Sequence, residues 1–325
     1  MVRRSHFLRS LLALAAGGLL SSTLLAADAW PSKPIRLVVP YPPGGSSDII
    51  ARSIGQLISQ ELKQTVVIDN KPGANGNLGA EFVARAPADG YTWLLCDLGA
   101  LAISPSIYTK LSFDPSKALR GAAMLAYSPH MLVVHPSVQA GNLKELVELS
   151  KKQDLNFAVT ASGSAPHLAG VELARITGAK WVYVPYKGGV QSVQDTVAGQ
   201  TQVLMNGMLA TYPHVQSGKL KLLGISKNTR MPLIADVPTL AEQGAQGFAS
   251  GTWQGVVLPA KTPEAVVQRV NQVLLAAIRS TEVRSRLTGQ GAEVVTMTPA
   301  ETDKFFNAER ARWRAVVQAA QLQLD

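Results

Sequence analysis

The sequence is short of cysteine, charge and aromatic rings, and each shortage excludes something. A single thiol, Cys96, stands in 325 residues, so no internal disulfide can form. Cys96 ends an apolar run, Tyr91 to Leu95, which predicts a buried, inert thiol and not a nucleophile. Charged residues make up 16% and aromatics 6%, against 46% apolar, a globular balance with no disordered character. Apart from Leu11 to Leu25 near the N-terminus, no run is long and apolar enough to span a bilayer. Catalytic patterns are missing too. There is no G-x-S-x-G elbow, and His130, His135, His167 and His214 have no metal-ligand spacing. No pair of carboxylates stands out for acid–base work. Ser164 with His167 is the one local arrangement that could place a base beside a nucleophile. The expectation is a non-enzyme without cofactor or metal.

The N-terminus reads as an export signal. Arg3, Arg4 and Arg9 precede the apolar run, and Ala27-Asp28-Ala29 supplies a small-x-small cleavage pattern. Residues 1–29 are therefore expected to be removed and the mature chain to begin at Trp30. A membrane anchor fits less well, because the run is short. The Arg3-Arg4 pair invites a twin-arginine reading, but His6 stands where an apolar residue belongs, so general export is preferred. Losing Arg3, Arg4, Arg9 and Asp28 takes the formal charge from +9 to +7. A basic surface attracts anions. Its cations are scattered, with Lys151-Lys152 the longest run, so there is no basic stripe for nucleic acid.

Hydrophobic periodicity predicts alternating strands and helices. Strands are expected at Ile35 to Val39, Thr65 to Ile68 and Tyr91 to Leu95, with helices at about 48–62 and 78–85 between them. The alternation resumes at Met131 to Val134. Helices at 143–151, 165–176, 190–198 and 212–216 separate strands near 156–159, 181–184, 202–205 and 221–225. Trp253 to Leu258 is extended, and three helices follow within 263–321. This is α/β architecture with a mostly parallel sheet. The final block holds too little strand for a sheet of its own. The economical arrangement is two domains, 30–130 plus 254–325 and an inserted 131–253, with two chain crossings as a hinge and a cleft between.

Ligands of parallel α/β sheets collect beyond the strands' carboxyl ends. There the chain carries Tyr41, Gly44, Gly45, Ser46, Ser47 and Asp48. Gly lets the backbone approach a ligand, Ser46 and Ser47 can cap the helix, and the first-turn N–H groups form an anion site. Plain capping without a ligand is the alternative, and Asp48 is read mainly as pinning the loop. Asn75, with Gly76 and Asn77, opens the second helix; the spacing matches neither a dinucleotide fingerprint nor a P-loop. Ser162, Gly163, Ser164 and His167 repeat the strand–turn–helix design in the second block, with Pro166 in the first turn. His167 could donate to a ligand or sit satisfied in the core. Lys187 before Gly188 is taken as solvated, while Asp97 and Asn206 lie at strand ends that could face the cleft.

Ordered motifs extend this reading. Trp30-Pro31-Ser32-Lys33-Pro34-Ile35, Pro40-Tyr41-Pro42-Pro43-Gly44-Gly45 and Asn70-Lys71-Pro72-Gly73-Ala74 are followed by Gly76-Asn77-Leu78-Gly79-Ala80 and the block Ala84 to Thr92. Further on come Ser162-Gly163-Ser164, His167-Leu168-Ala169-Gly170, Pro185-Tyr186-Lys187-Gly188 and Asp236-Val237-Pro238-Thr239. Together they resemble the tripartite tricarboxylate transporter, or Bug, receptors across essentially the whole mature chain. The resemblance implies a type II periplasmic-binding fold of two α/β domains with a hinge. It implies capture of a small organic carboxylate against the first loop, delivery to membrane permease subunits, and action as a monomer. Asn206 departs from it, since these receptors often carry Asp there, and Cys96 and Asp97 stand where small residues are common; both departures bear on ligand identity. A periplasmic receptor that signals through a membrane sensor, and more remotely a periplasmic hydrolase on Ser164 and His167, are the alternatives.

Overall fold

The computed structural model describes residues 30–97 and 99–324, so the expected export signal at 1–29 lies outside the described residues. In chain order the fold opens with β1 (Ile35–Val39), α1 (Ser46–Leu62), β2 (Val66–Asn70), α2 (Asn77–Ala84) and β3 (Thr92–Cys96). Two short helices, α3 (Ser104–Ile107) and α4 (Pro115–Ala118), lead to the 16-residue β4 (Leu119–Val134). Then come α5 (Leu143–Ser150), β5 (Asn156–Val159), α6 (Ala165–Thr177), β6 (Val182–Pro185), α7 (Gly189–Val197), β7 (Val203–Gly207), α8 (Met208–Gln216) and β8 (Lys221–Ile225). The chain returns through β9 (Gly251–Pro259) and ends with α9 (Glu264–Arg279), α10 (Thr281–Gly289), β10 (Glu293–Val294) and α11 (Pro299–Ala319). From Lys33 onward the chain is one compact unit.

The strand order is β2-β1-β3-β9-β4-β7-β5-β6, with β8 and β10 also paired to β4. Two parallel sets flank an antiparallel centre: β2, β1 and β3 on one side, β6, β5 and β7 on the other. β4 belongs to both. Its residues 119–129 pair with β9, and its residues 130–134 pair with β7. One strand thus carries the chain from the first half-sheet to the second, close to the crossing expected at Met131.

Two readings need correction. β4 begins twelve residues before the predicted Met131, at Leu119. Gly121, three alanines and Pro129 give that stretch weak strand character, and its long pairing with β9 overrides the propensity. α8 likewise starts at Met208, not Tyr212.

Burial follows the two periods. In the second half-sheet Leu132, Val134, Phe157, Val159, Val203 and Met205 pack on one face under α5 and α6. Met131, Val133, Ala158 and Leu204 pack on the other with Val193 of α7 and Met208 and Tyr212 of α8. Alternation along β4 and β7 therefore feeds two cores, as a sheet covered on both sides requires. In the first half Val38, Leu94, Met124 and Val257 meet α2 and the Phe306–Trp313–Val317 stripe of α11. Capping tightens the helix entries. Asn142 caps α5, accepting the Glu145 N–H at 2.9 Å. Among the described residues no helix is long and apolar enough to cross a membrane.

Candidate functional site

The loop from β1 to α1 delivers a helix start with no side-chain cap. The N-cap is Gly45, in extended conformation. Ser46 and Ser47, expected as caps, lie inside the first turn instead. Their N–H groups therefore have no partner within the helix and carry the positive end of its dipole. Asp48 does not supply one from the loop side; it turns back. Its carboxylate accepts from Gly44 N–H at 2.9 Å, Arg52 Nε at 2.8 Å and Asn70 Nδ2 at 3.0 Å. Burial opposes its ionised form, but the Arg52, Gly44 and Asn70 hydrogen bonds outweigh that and hold its pKa below the usual carboxylate range. The loop is pinned as anticipated. Gly44 sits at φ +88°, a left-handed conformation that favours glycine.

Tyr41 and Asp97 form a pair beside this helix end. The Tyr41 hydroxyl donates to Asp97 Oδ1 at 2.6 Å, and Gly99 N–H donates to the same oxygen at 2.7 Å. Burial, with the Asp97 charge next to it, pushes the Tyr41 phenol well above its usual pKa. Burial also raises the Asp97 carboxyl and the neighbouring Cys96 thiol. Asn75 Nδ2 donates to Gly163 O at 3.0 Å, joining the two halves of the molecule.

In the second half Ser164 caps α6, its hydroxyl accepting from His167 N–H at 3.3 Å and Ala161 N–H at 3.3 Å. The His167 ring is engaged elsewhere. Nδ1 accepts from Gly163 N–H at 3.0 Å, and the ring meets Tyr183 edge-on at 4.9 Å. Burial lowers its pKa. Ser164 and His167 therefore meet through the backbone: the hydroxyl holds the His167 N–H, while the ring holds that of Gly163. α7 and α8 begin at Gly188 and Gly207 N-caps, again without side-chain caps. Leu209 N–H of α8 is taken by Ser128 Oγ at 3.0 Å.

These four helix starts converge on one cavity. Gly45, Ser46 and Ser47 of α1, Ser164 and Pro166 of α6, Gly189 of α7 and Ala210 of α8 all line it. It is narrow, with about 40 Å³ open to a water-sized molecule. Tyr41, Asp97 and Asn206 complete the predicted residues present there. Gly44, Asp48, Gly163 and His167 stand behind the lining and shape it. Asn75 and Ser162 line a wider outer cavity of about 660 Å³, shared with Tyr41 and Pro42 and bordered by Tyr186 and Lys187. Sequence reasoning missed Thr160, Thr252 and Gln254 in the inner cavity. Gln254 has no exposed surface, and neither its Nε2 nor its Oε1 has a hydrogen-bond partner among the described residues. Asn206, 7% exposed, leaves Nδ2 unpartnered while Oδ1 accepts from Thr160 Oγ1 at 3.4 Å. Buried amides left open toward a cavity are expected where a ligand or water completes them. Among the described residues no cluster of His, Cys, Asp and Glu could hold a metal.

The sequence model of the tripartite tricarboxylate transporter family receptors matches residues 50–322. The chain belongs to this receptor family. The receptor is 33% identical to BugT of Bordetella pertussis (strain Tohama I) over 297 residues, 90% of this chain and 91% of BugT. The structure of Rpa4515 from R. palustris with adipate superposes with a TM-score of 0.87 at 30% identity, covering 90% of this chain and 99% of that one. MatC from Rhodopseudomonas palustris, with bound malate, gives 0.83 at 31% identity, covering 89% and 100%. The fold is that of these periplasmic binding proteins, and members of the family are solute-binding receptors of the periplasm.

Proposed function

We propose that the inner cavity holds the carboxylate of a small organic acid, for delivery to the permease subunits of a tripartite tricarboxylate-type transporter. The carrying observation is the convergence of four helix N-termini on one buried space, with α1 and α7 lacking a side-chain cap and α8 holding one of its first-turn N–H groups on Ser128. Each such end contributes about 0.3–1 kcal/mol to an anion, up to about 2 where partly buried, so several acting together are needed. Adipate in Rpa4515 and malate in MatC support a carboxylate as cargo. Tyr41, Gly44, Gly45, Ser46, Ser47 and Asp48 form the first wall and its support. Ser164 and Asn206 form the facing one, supported by Gly163 and His167, with Asp97 beside Tyr41 and with Asn75 and Ser162 at the outer cavity.

In this reading residues 30–130 plus 254–325 and residues 131–253 act as lobes that close on the ligand. β4 and the return into β9 serve as the hinge, and a ligand touching both lobes favours the closed state. The receptor works as a monomer without cofactor or turnover. Its first 29 residues direct export to the periplasm and are removed. The test is titration calorimetry against mono-, di-, tri- and aromatic carboxylates, on the wild type and Ser47→Asp. Saturable binding is expected, and lost in S47D, whose own carboxylate occupies the helix end. If no carboxylate binds or raises the melting temperature, the proposal fails.

A further inference from the structure

The inner cavity is not lined by donors alone. Gln254 is fully buried, and both ends of its amide, the donor Nε2 and the acceptor Oε1, are without partners among the described residues. Gln254 belongs to β9, whose antiparallel register with β3 pairs Leu95 with Val256 and Cys96 with Gly255. Continued by one residue, that register sets Asp97 beside Gln254, and both line the cavity. The two hydrogen bonds that Asp97 receives from Tyr41 and Gly99 both fall on Oδ1, while a carboxylate has about four acceptor positions. A wall of acceptors, one neutral and one negative, thus faces the space toward which the helix starts aim their donors.

An unsubstituted carboxylate satisfies half of this arrangement. It can accept from Gln254 Nε2, Asn206 Nδ2 and the α1 N–H groups, but it leaves Oε1 bare and turns lone pairs toward Asp97. Leaving a buried polar group unmatched costs more than the bond itself contributes. We propose that Asp97 and Gln254 select an acid that carries a hydrogen-bond donor next to its carboxylate, an α-hydroxy or α-amino acid. The amide then faces the two neighbouring groups at once: Nε2 donates to a carboxylate oxygen, a hydroxyl gives its one hydrogen to Oε1 or to Asp97, and an ammonium donates to both and is attracted by the Asp97 charge. This rests on the carboxylate reading above and adds the ligand's substituent to it.

Matched acids test it by calorimetry: succinate, malate and aspartate; glutarate, 2-hydroxyglutarate and glutamate; propionate, lactate and alanine. In at least one set the hydroxy or amino member should bind at least about tenfold tighter than the unsubstituted acid, the equivalent of one well-made hydrogen bond. Which member wins tells hydroxyl from ammonium. Gln254→Met and Asp97→Asn, each checked by thermal melting, should shrink that ratio toward one, whatever each does to the affinity for the unsubstituted acid itself. Unsubstituted acids binding as tightly as their partners in every set overturn the proposal on the wild type alone and leave the carboxylate reading standing. A preference that survives both variants also overturns it. Binding by none of these acids, nor by the wider carboxylate panel, removes the site beneath both readings.

Discussion

His130 lies in β4 where the two half-sheets join, and it should make the receptor's stability fall in mild acid. The ring has no exposed surface. Its Nδ1 is 3.0 Å from Ser250 Oγ and its Nε2 2.9 Å from Thr252 Oγ1, while Ser250 Oγ lies 2.7 Å from Ser226 Oγ. The backbone doubles these ties, with His130 N–H donating to Ser250 O and Ser226 N–H to His130 O. Burial lowers the imidazole pKa from 6.5 to about 3. Below pH 6.5 the unfolded chain therefore binds a proton that the folded chain refuses, so stability is complete above 6.5 and declines as pH falls toward 3. The slope is about 1.4 kcal/mol per pH unit, so about 2.7 kcal/mol is lost by pH 4.5. His130→Gln keeps a donor and an acceptor but cannot titrate. At pH 7.5 it should cost about 1–2 kcal/mol, from imperfect hydrogen bonds to Ser250 and Thr252. On acidification that deficit should shrink and change sign near pH 5 to 6, because the carboxylates of both proteins titrate alike. Urea unfolding at pH 7.5, 6.0, 5.0 and 4.5, followed by tryptophan fluorescence, measures the difference. A gap that stays constant with pH would refute the assignment of a neutral, proton-refusing ring at the junction.

Two further substitutions separate closure from stability. A methyl group at Gly188 would lie 2.6 Å from Pro42 Cδ; Gly188→Ala should weaken carboxylate binding about 5- to 150-fold, from about 1–3 kcal/mol of overlap. The melting temperature without ligand should stay within about 2 °C, and unchanged affinity would show that the two residues do not approach in the bound state. Asp48→Asn should cost about 1–2 kcal/mol at pH 7 by loosening the Gly44, Arg52 and Asn70 ties. Asp48 has a depressed pKa, so its contribution is present above the unfolded value near 4 and lost as pH falls through the folded one. The gap between D48N and wild type should accordingly narrow as pH falls below the unfolded value, as read by urea unfolding.

Much of the first wall was legible because its causes are local. A strand end, two glycines and two serines before an apolar helix predict a helix start at a sheet's carboxyl edge, and Ser46 and Ser47 line the cavity. Local sequence misplaced the cap, since the choice of Gly45 over a serine hydroxyl depends on how the loop is pinned through Asp48, Arg52 and Asn70. His167 stayed undecided between ligand and core until Gly163 and Tyr183 were seen on either side of it. The start of α8 was missed because its N-cap is Gly207, which offers no side-chain capping signal, and Pro213 stands inside the helix.

By itself the sequence determined the α/β alternation, the order of the loops and the family, because hydrophobic period and ordered motifs are properties of neighbours along the chain. Tertiary structure alone decided that Gln254, Thr252 and Thr160 share a buried space with Ser46 and Ser47, which lie more than a hundred residues earlier. Which polar atoms are left without partners is settled by register between strands distant in sequence, and no local pattern encodes that register.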